Sequence, residues 1–305
     1  MASIRVETGA RLHAGFYTID AGWGVQWGGS GFYIDQLGIT VEAWECREPG
    51  VEAPASYREV ATLVEEKLSP KVCARIVTGP PRHSGLGSTT QASLALGLAI
   101  DRLEGRGLGI EDLAKLLGRG RYSLVGTLLF MHGGFIVDPG IPGPLKPLAR
   151  LEVPGDWRFV VVLPSLPRGP GEVEEEALMR PRRPGPREEA LMAKGTIMLA
   201  SAVARGDLGD ALEALKLVQA GTGLYFSRSQ GGVYRGDVSW IVGEASRDGI
   251  VLAQSSWGPA LYTITDSSSA GSDASLLRSI LAEAGVGGSV IVAEPRNRGA
   301  VTVLY

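Results

Sequence analysis

Asparagine occurs once in this chain, at position 297, and cysteine twice, at 46 and 73. Two cysteines at that spacing match no metal-ligand pattern, which excludes a zinc-stapled or disulfide-dense scaffold and leaves Cys46 and Cys73 expected as buried free thiols. Scarcity of Asn and Cys is what loss of thermolabile residues produces; the 24 Arg against 6 Lys fit a GC-rich genome equally well. No run approaches the ~20 apolar residues that span a bilayer, and the first residues, Met-Ala-Ser-Ile-Arg-Val-Glu, carry no apolar signal core. A cytoplasmic protein without a membrane partner is expected. A net charge of −3 supplies no basic excess, so nucleic acid is not an expected partner either. Gly-Lys is found nowhere, which removes the Gly-x-x-x-x-Gly-Lys-Ser/Thr phosphate loop. There is no internal repeat.

What is present is a globular composition: 305 residues, 44% apolar and 21% charged, enough for one large or two ordinary domains with their own cores. The first part reads as short strands at 4–7, 16–20, 32–35 and 39–45, joined by Gly22-Trp23-Gly24 and Gly28-Gly29-Ser30-Gly31 in an antiparallel meander. A polar helix over 57–67 and a strand over 72–77 follow. Ala92, Ala95, Leu96, Ala99, Ile100 and Leu103 then share one face of a helix that Gly105 ends, and a second helix spans 111–117. Strands are expected over 135–138 and 158–163. Residues 165–189, rich in Pro, Gly, Arg and Glu, read as a mobile loop with at most one helical turn at 172–179. Helices over 188–205 and 207–219, strands at 250–253 and 260–265, a helix over 273–284 capped by Ser272 or Asp273, and a closing hairpin of 289–293 with 300–305 complete an α+β sandwich.

Between the 72–77 strand and the long helix lies Pro81-Arg82-His83-Ser84-Gly85-Leu86-Gly87-Ser88-Thr89. Glycines at 85 and 87 lack the Cβ atoms that would hold a backbone off a phosphate. Ser88 and Thr89 fall on the first helical turn, where free N–H groups and the positive dipole end favour an anion. The plain alternative is a strand–turn–helix with capping hydroxyls. The dinucleotide spacing Gly-x-Gly-x-x-Gly fails at Thr90.

The pattern Pro-x-x-x-Gly-Leu-Gly-Ser-Ser/Thr resembles the phosphate loop of the GHMP kinase superfamily. Further motifs narrow it: Arg11-Leu12-His13-Ala14-Gly15-Phe16, Gly118-Arg119-Gly120-Arg121-Tyr122-Ser123-Leu124-Val125-Gly126-Thr127, His132-Gly133-Gly134-Phe135-Ile136-Val137-Asp138, Gln230-Gly231-Gly232 and Ser255-Ser256-Trp257-Gly258-Pro259. In this order and spacing they resemble the beta-ribofuranosylaminobenzene 5'-phosphate synthases, along the full length. The resemblance implies a GHMP kinase fold of class α+β: an N-terminal domain over 1–155, like ribosomal protein S5 domain 2, and a ferredoxin-like α/β sandwich over 156–305. It also implies a phosphoribosyl transferase that joins phosphoribosyl pyrophosphate (PRPP) to 4-aminobenzoate or 4-hydroxybenzoate and releases pyrophosphate and carbon dioxide, in methanopterin-type pterin biosynthesis.

Charges favour this reading over a kinase. GHMP kinases with a carboxylate base place an Asp in a Ser-Gly-x-Asp segment; here Ser123-Leu124-Val125-Gly126-Thr127 has none. Arg119 and Arg121 stand near the place of a metal-binding Glu, and guanidinium suits a phosphate, a pyrophosphate and a benzoate carboxylate. Arg11, Arg119 or Arg121 would orient that carboxylate, and His13 and Ser123 complete the candidate catalytic set. Arg82, His83, Ser84, Gly85, Leu86, Gly87, Ser88, Thr89 and Thr90 would bind PRPP, while Gln230, Trp257 and Gly258 would line the cleft for the second substrate. Magnesium is the expected cofactor, with Ser88 and Glu174, in the acidic run Glu172 to Glu176, as its ligands; a solvated helix start is the alternative for that run. His132 reads as an ordinary hydrogen-bonded histidine, and Asp138 as a strand cap. The family has Gly at the position of Leu124, so a leucine there is expected to fill space a substrate would use. Partners are small molecules, and a homodimer is compatible with the sequence. The competing functions are a GHMP-family small-molecule kinase and a non-catalytic metabolite sensor.

Overall fold

The computed structural model describes residues 2–20, 25–140, 145–179 and 182–305. Three sheets organise it. The first has strand order β13 (Val301–Leu304), β1 (Ser3–Glu7), β4 (Thr40–Trp44), β6 (Cys73–Thr78), β5 (Gly50–Glu52). Its apolar positions alternate, as a half-buried strand requires: Ile4 and Val6 in β1 and Val41 and Ala43 in β4 are buried, their neighbours not. Helices α1 (Arg58–Leu68) and α2 (Ser88–Glu104) pack into the same core, with α3 (Ile110–Leu116) behind α2. Gly105 closes α2 in the left-handed conformation, φ 65°.

The second sheet, β2 (Ala10–Asp20), β3 (Val25–Ile34), β7 (Phe135–Val137) and β8 (Ala149–Leu151), carries α4 (Val125–His132). The third has order β10 (Ala253–Gln254), β11 (Leu261–Asp266), β9 (Trp157–Pro164), β12 (Gly288–Ala293). Two faces of β9 are covered, which is why Phe159-Val160-Val161-Val162 is apolar without alternation. Phe159 and Val161 pack with residues of α6 (Pro186–Arg205) and α7 (Leu208–Gln230), and Val160 and Val162 with α8 (Ser239–Arg247) and α9 (Ala270–Glu283). The largest apolar cluster joins the halves: Leu12, Phe32 and Phe135 of the second sheet meet Phe159, Tyr262 and Ala293 of the third.

Several sequence expectations are corrected. The short strands at 16–20 and 32–35 are parts of one long hairpin, β2–β3. Gly28-Gly29-Ser30-Gly31 runs inside β3 because neighbours use the missing side chains: a Cβ on Gly28 would stand 2.2 Å from the Tyr17 ring, and one on Gly29 3.2 Å from His13 Nε2. The Gly22-Trp23-Gly24 joint lies outside the described residues. The closing hairpin does not form; β12 pairs with β9 and β13 returns to pair with β1. Helix α7 runs on to Gln230, α4 and α8 were not expected, and α9 starts after Ser269 rather than at 272 or 273. Cys46 and Cys73 are not free but form a disulfide, Cα–Cα 5.8 Å. Cys73 sits opposite Trp44 in the β4–β6 register, which brings Cys46, two residues on, within reach. Among the described residues no helix is long and apolar enough to cross a membrane.

Candidate active site

The glycine loop is clipped between two strands' worth of backbone. Arg11 N–H donates to the Leu86 carbonyl at 3.0 Å, and Ala260 N–H to the Ser84 carbonyl at 3.0 Å. Ser255 ties the pieces together: its Oγ donates to the Gly85 carbonyl at 2.6 Å and accepts from His13 N–H at 2.9 Å. Here the glycines serve packing first. Gly85 has φ 93° and a Cβ there would lie 2.2 Å from the Ser255 carbonyl oxygen; Gly87 has φ 69° and its Cβ would lie 3.1 Å from Arg11 Cβ. Gly87 is also the residue from which α2 starts, and the first N–H bond along the helix is Gln91 to Gly87. The N–H groups of Ser88, Thr89 and Thr90 precede that bond.

These three residues line a cleft of about 120 Å³ with Arg11, Arg119, His83, Gly85, Gly87, Trp257 and Gly258. Gly169 and Pro170 form part of its rim, where Gly169 N–H donates to the His83 carbonyl at 2.7 Å. A second chamber of about 110 Å³ adjoins it; Arg11, Thr90, Arg119, Glu175 and Ser256 face both spaces. The rest of that chamber is built from Phe16, Tyr122 and Met179 with Arg121 and Ser123.

The structure separates the expected site residues into those that face this double cleft and those that support it. Arg11 is half-buried, and its guanidinium donates from Nη2 to the Gly85 carbonyl at 3.3 Å while the buried Nε has no protein partner. Burial draws its pKa down to about 10, opposed by Glu175, so it remains a cation at neutral pH. Arg119 donates from Nε to the Leu117 carbonyl at 2.9 Å and faces both spaces. Arg121 lines the second chamber only; its side chain is exposed and 3.6 Å from Glu176. His13 is 1% exposed, and burial followed by the Arg11 charge holds its pKa well below 6.5; it is neutral. It faces a separate space of about 20 Å³ shared with Gln230 and Trp257, too small for an aromatic acid.

Three residues expected to bind PRPP, Arg82, Ser84 and Leu86, and one expected to line the second-substrate cleft, Gln230, face neither space. Arg82 is buried and turned to α1, donating to Glu59 at 2.9 Å and to the Ser56 carbonyl at 3.2 Å. Ser84 Oγ donates to the Pro81 carbonyl and Leu86 is core. Gln230 donates to the Gly232 and Val233 carbonyls, holding the end of α7. Ser123 Oγ accepts from Val125 N–H at 3.2 Å and lies 3.5 Å from Asp138 Oδ2. Asp138 is more than a strand cap: it accepts from Leu124 N–H at 2.6 Å and Gly140 N–H at 2.9 Å. Burial raises its pKa, and these donors oppose that rise. Leu124 does not reach the chamber; it packs on Gly120 and the α4 core. His132, at the end of α4, is likewise away from the cleft.

In the acidic run the residue facing the cleft is Glu175, not Glu174. Helix α5 (Glu172–Leu178) is longer than the single turn expected, and Glu174 accepts from Gly171 N–H at 3.1 Å, capping its start. The next residue lies about 100° around the helix, which puts Glu175 toward Arg11. A capping assignment would have found it. Phe16 and Ser256 also face the chamber; they lie in the quoted motifs but were given no role, and Met179, the third such residue, lies in none. Among the described residues no cluster of three or more His, Cys, Asp or Glu can hold a metal. One carboxylate beside hydroxyls does fit magnesium, which keeps its waters and takes most other ligands from substrate phosphates.

With this geometry the comparisons with known proteins can be placed. The chain is 31% identical over 318 residues to the beta-ribofuranosylphenol 5'-phosphate synthase of Archaeoglobus fulgidus, covering 97% of this chain and 98% of that one. It belongs to that synthase family. The synthase of the same name from Methanothermobacter thermautotrophicus is 27% identical, with 98% of each chain covered. Within the family frame, residues 56–127 match the GHMP kinases N terminal domain, the stretch from α1 through the glycine loop to Thr127. A homoserine kinase from Cytophaga hutchinsonii superposes with TM-score 0.72 at 17% identity, over 99% of this chain and 97% of that one. The fold of this synthase family member is thus the α+β GHMP kinase fold, carried here without a carboxylate in the Ser123–Thr127 segment.

Proposed function

We propose that this chain condenses PRPP with 4-hydroxybenzoate or 4-aminobenzoate, releasing pyrophosphate and carbon dioxide, the ribofuranosyl phosphate-forming step of methanopterin-type pterin biosynthesis. One observation carries the reading onto these residues: an anion cleft on a glycine loop opens, across a wall bearing Arg11 and Arg119, into a chamber walled by Phe16, Tyr122 and Met179. The membership of a family named for the ribofuranosylphenol phosphate product supports it.

In this mechanism the N–H groups opening α2 and the Ser88, Thr89 and Thr90 hydroxyls take the phosphates of PRPP. Departure of pyrophosphate leaves positive charge on ribose C1 and gathers negative charge on the leaving group. Arg11, held in place by the Gly85 carbonyl and with its Nε shielded from solvent, stabilises that negative charge without reorganising. Glu175 and Ser88, which line the same cleft, would hold a magnesium ion, and its charge would add to the neutralisation of the leaving group. The aromatic walls hold the acid so that its carboxyl-bearing carbon faces ribose C1, the entropic part of the catalysis. That carbon bonds to C1, and loss of carbon dioxide returns the bonding pair to the ring. Asp138 does not act as a kinase base, because its oxygens are taken by Leu124 and Gly140 N–H groups.

The test uses purified protein, magnesium, PRPP and carboxyl-labelled acid. PRPP-dependent labelled carbon dioxide is expected. Absence of release with both acids, alongside ATP binding by calorimetry and none of PRPP, would hand the site to the kinase reading.

A further inference from the structure

The chamber beyond Arg11 has a direction, and the synthase reading on which this inference rests orients the acceptor in it. The new bond joins ribose C1, whose pyrophosphate occupies the glycine-loop cleft, to the ring carbon bearing the carboxylate. That carbon therefore lies at the shared wall, where Arg11 and Arg119 meet the carboxylate. Tyr122, Ser123 and Arg121 line the chamber but not the cleft, so the substituent across the ring, turned away from the shared wall, is the part of the acceptor they can meet. Ser123 is already committed to Val125 N–H and Asp138. Arg121 is available: its side chain is 62% exposed, its guanidinium lies 5.8 Å from the Tyr122 ring, and Glu176 is at the loose distance of 3.6 Å.

We propose that Arg121 reads the group opposite the acceptor's carboxylate and holds a 4-hydroxyl there as its phenolate, making the site selective for the hydroxy acid over the amino acid. A phenolate pushes its electron pair through the ring to the attacking carbon far more strongly than a neutral phenol. The C1–O bond breaks with its pair on pyrophosphate, and the pair of the bond to the carboxyl carbon then returns to the ring as carbon dioxide leaves. The product phenolate takes a proton from water, so the sequence needs no oxidant or reductant. An aniline nitrogen cannot be charged in this way by a cation and gains nothing from Arg121. Cations outnumber anions around the acceptor: Arg121, Arg119 and Arg11 line the chamber with one carboxylate, Glu175, while Glu176 stands 3.6 Å from Arg121 outside that lining and Asp138 is held by Leu124 N–H.

The experiment compares wild type, Arg121→Gln and Arg121→Lys in PRPP-dependent release of labelled carbon dioxide from each acid across a pH series. Arg121→Gln is expected to lower kcat/KM for 4-hydroxybenzoate roughly 10- to 100-fold, the scale of a charge-assisted hydrogen bond. It is also expected to move the acidic limb of that profile upward, while leaving 4-aminobenzoate within a few-fold. Arg121→Lys restores most of the loss by restoring the charge. Equal losses with both acids, or no change with either, overturn the assignment while leaving the synthase reading intact. A wild type inert toward both acids removes the synthase reading itself.

Discussion

The glycine-loop cleft and the chamber beside it share Arg11, Arg119 and Glu175 but are made of different material. The cleft is backbone: N–H groups at the start of α2, glycines at 85 and 87, and a loop locked to β2 by Ser255. The chamber is side chain: Phe16, Tyr122, Met179 and Arg121, supplied by β2, a loop and the residue that ends α5. Backbone sites admit few substitutions, because conformation and not chemistry holds them. Side-chain sites change chemistry while the frame stays, which suits a superfamily in which one phosphate loop serves many second substrates.

Gly85→Ala should break the first of these sites outright. A left-handed φ and a Cβ 2.2 Å from the Ser255 carbonyl together cost about 3 kcal/mol or more. Thermal unfolding should show a large loss, with turnover abolished. Gly231→Ala is the control, with φ 84° but nothing within 4 Å of the added Cβ, so its cost stays near 1 kcal/mol. A Gly85→Ala protein as stable as the control would mean the loop is not locked to Ser255.

Arg11→Met tests the shared wall. Removing a preorganised cation from the place where leaving-group charge develops should cost roughly 100-fold or more in kcat, with circular dichroism unchanged. A fall confined to KM would assign Arg11 to binding alone.

His13 sharpens the comparison through pH. Its folded pKa is depressed, so below the ordinary 6.5 the unfolded chain takes up a proton that the native chain resists. The stabilisation is complete above about 6.5 and is lost as pH falls toward the folded value, at about 1.4 kcal/mol per pH unit. Urea unfolding of His13→Asn should lack that slope; an unchanged slope would locate it elsewhere.

The smallest effect expected is at α5. Glu174→Gln should cost under ~1 kcal/mol of cap and leave the magnesium dependence of turnover alone, while Glu175→Gln should raise the magnesium needed for half-maximal rate. A reversed result would restore Glu174 as the metal-facing residue.

The helices with clear period and stops were legible in sequence. Gly105 ends α2 where its pattern predicts, and α6 begins and ends within two residues of the expected helix. The β2–β3 hairpin was misread because glycine runs signal turns locally, whereas here they make room for Tyr17 and His13 across the strand pair. The disulfide was missed for a similar reason: nothing in a 27-residue separation announces that β4 and β6 are neighbours. Of the residues the motifs singled out, Arg11, Arg119, Gly85, Gly87, Ser88, Thr89 and Thr90 come together around one cleft. Arg82 and Glu174 looked equivalent to them and face elsewhere, each claimed by a nearby partner.

By itself the sequence determined the local features: where helices start and stop, that the glycine loop precedes a helix N-terminus, and that no carboxylate occupies the 123–127 segment. These depend on propensity and on order along the chain, which neighbours in sequence suffice to set. Only the tertiary structure decided that β13 completes the first sheet beside β1, that Ser255 locks the loop, and that Glu175 rather than Glu174 shares the wall with Arg11. Those outcomes depend on which surfaces burial brings together across up to three hundred residues of chain, and on which face of a helix is left pointing at a charge.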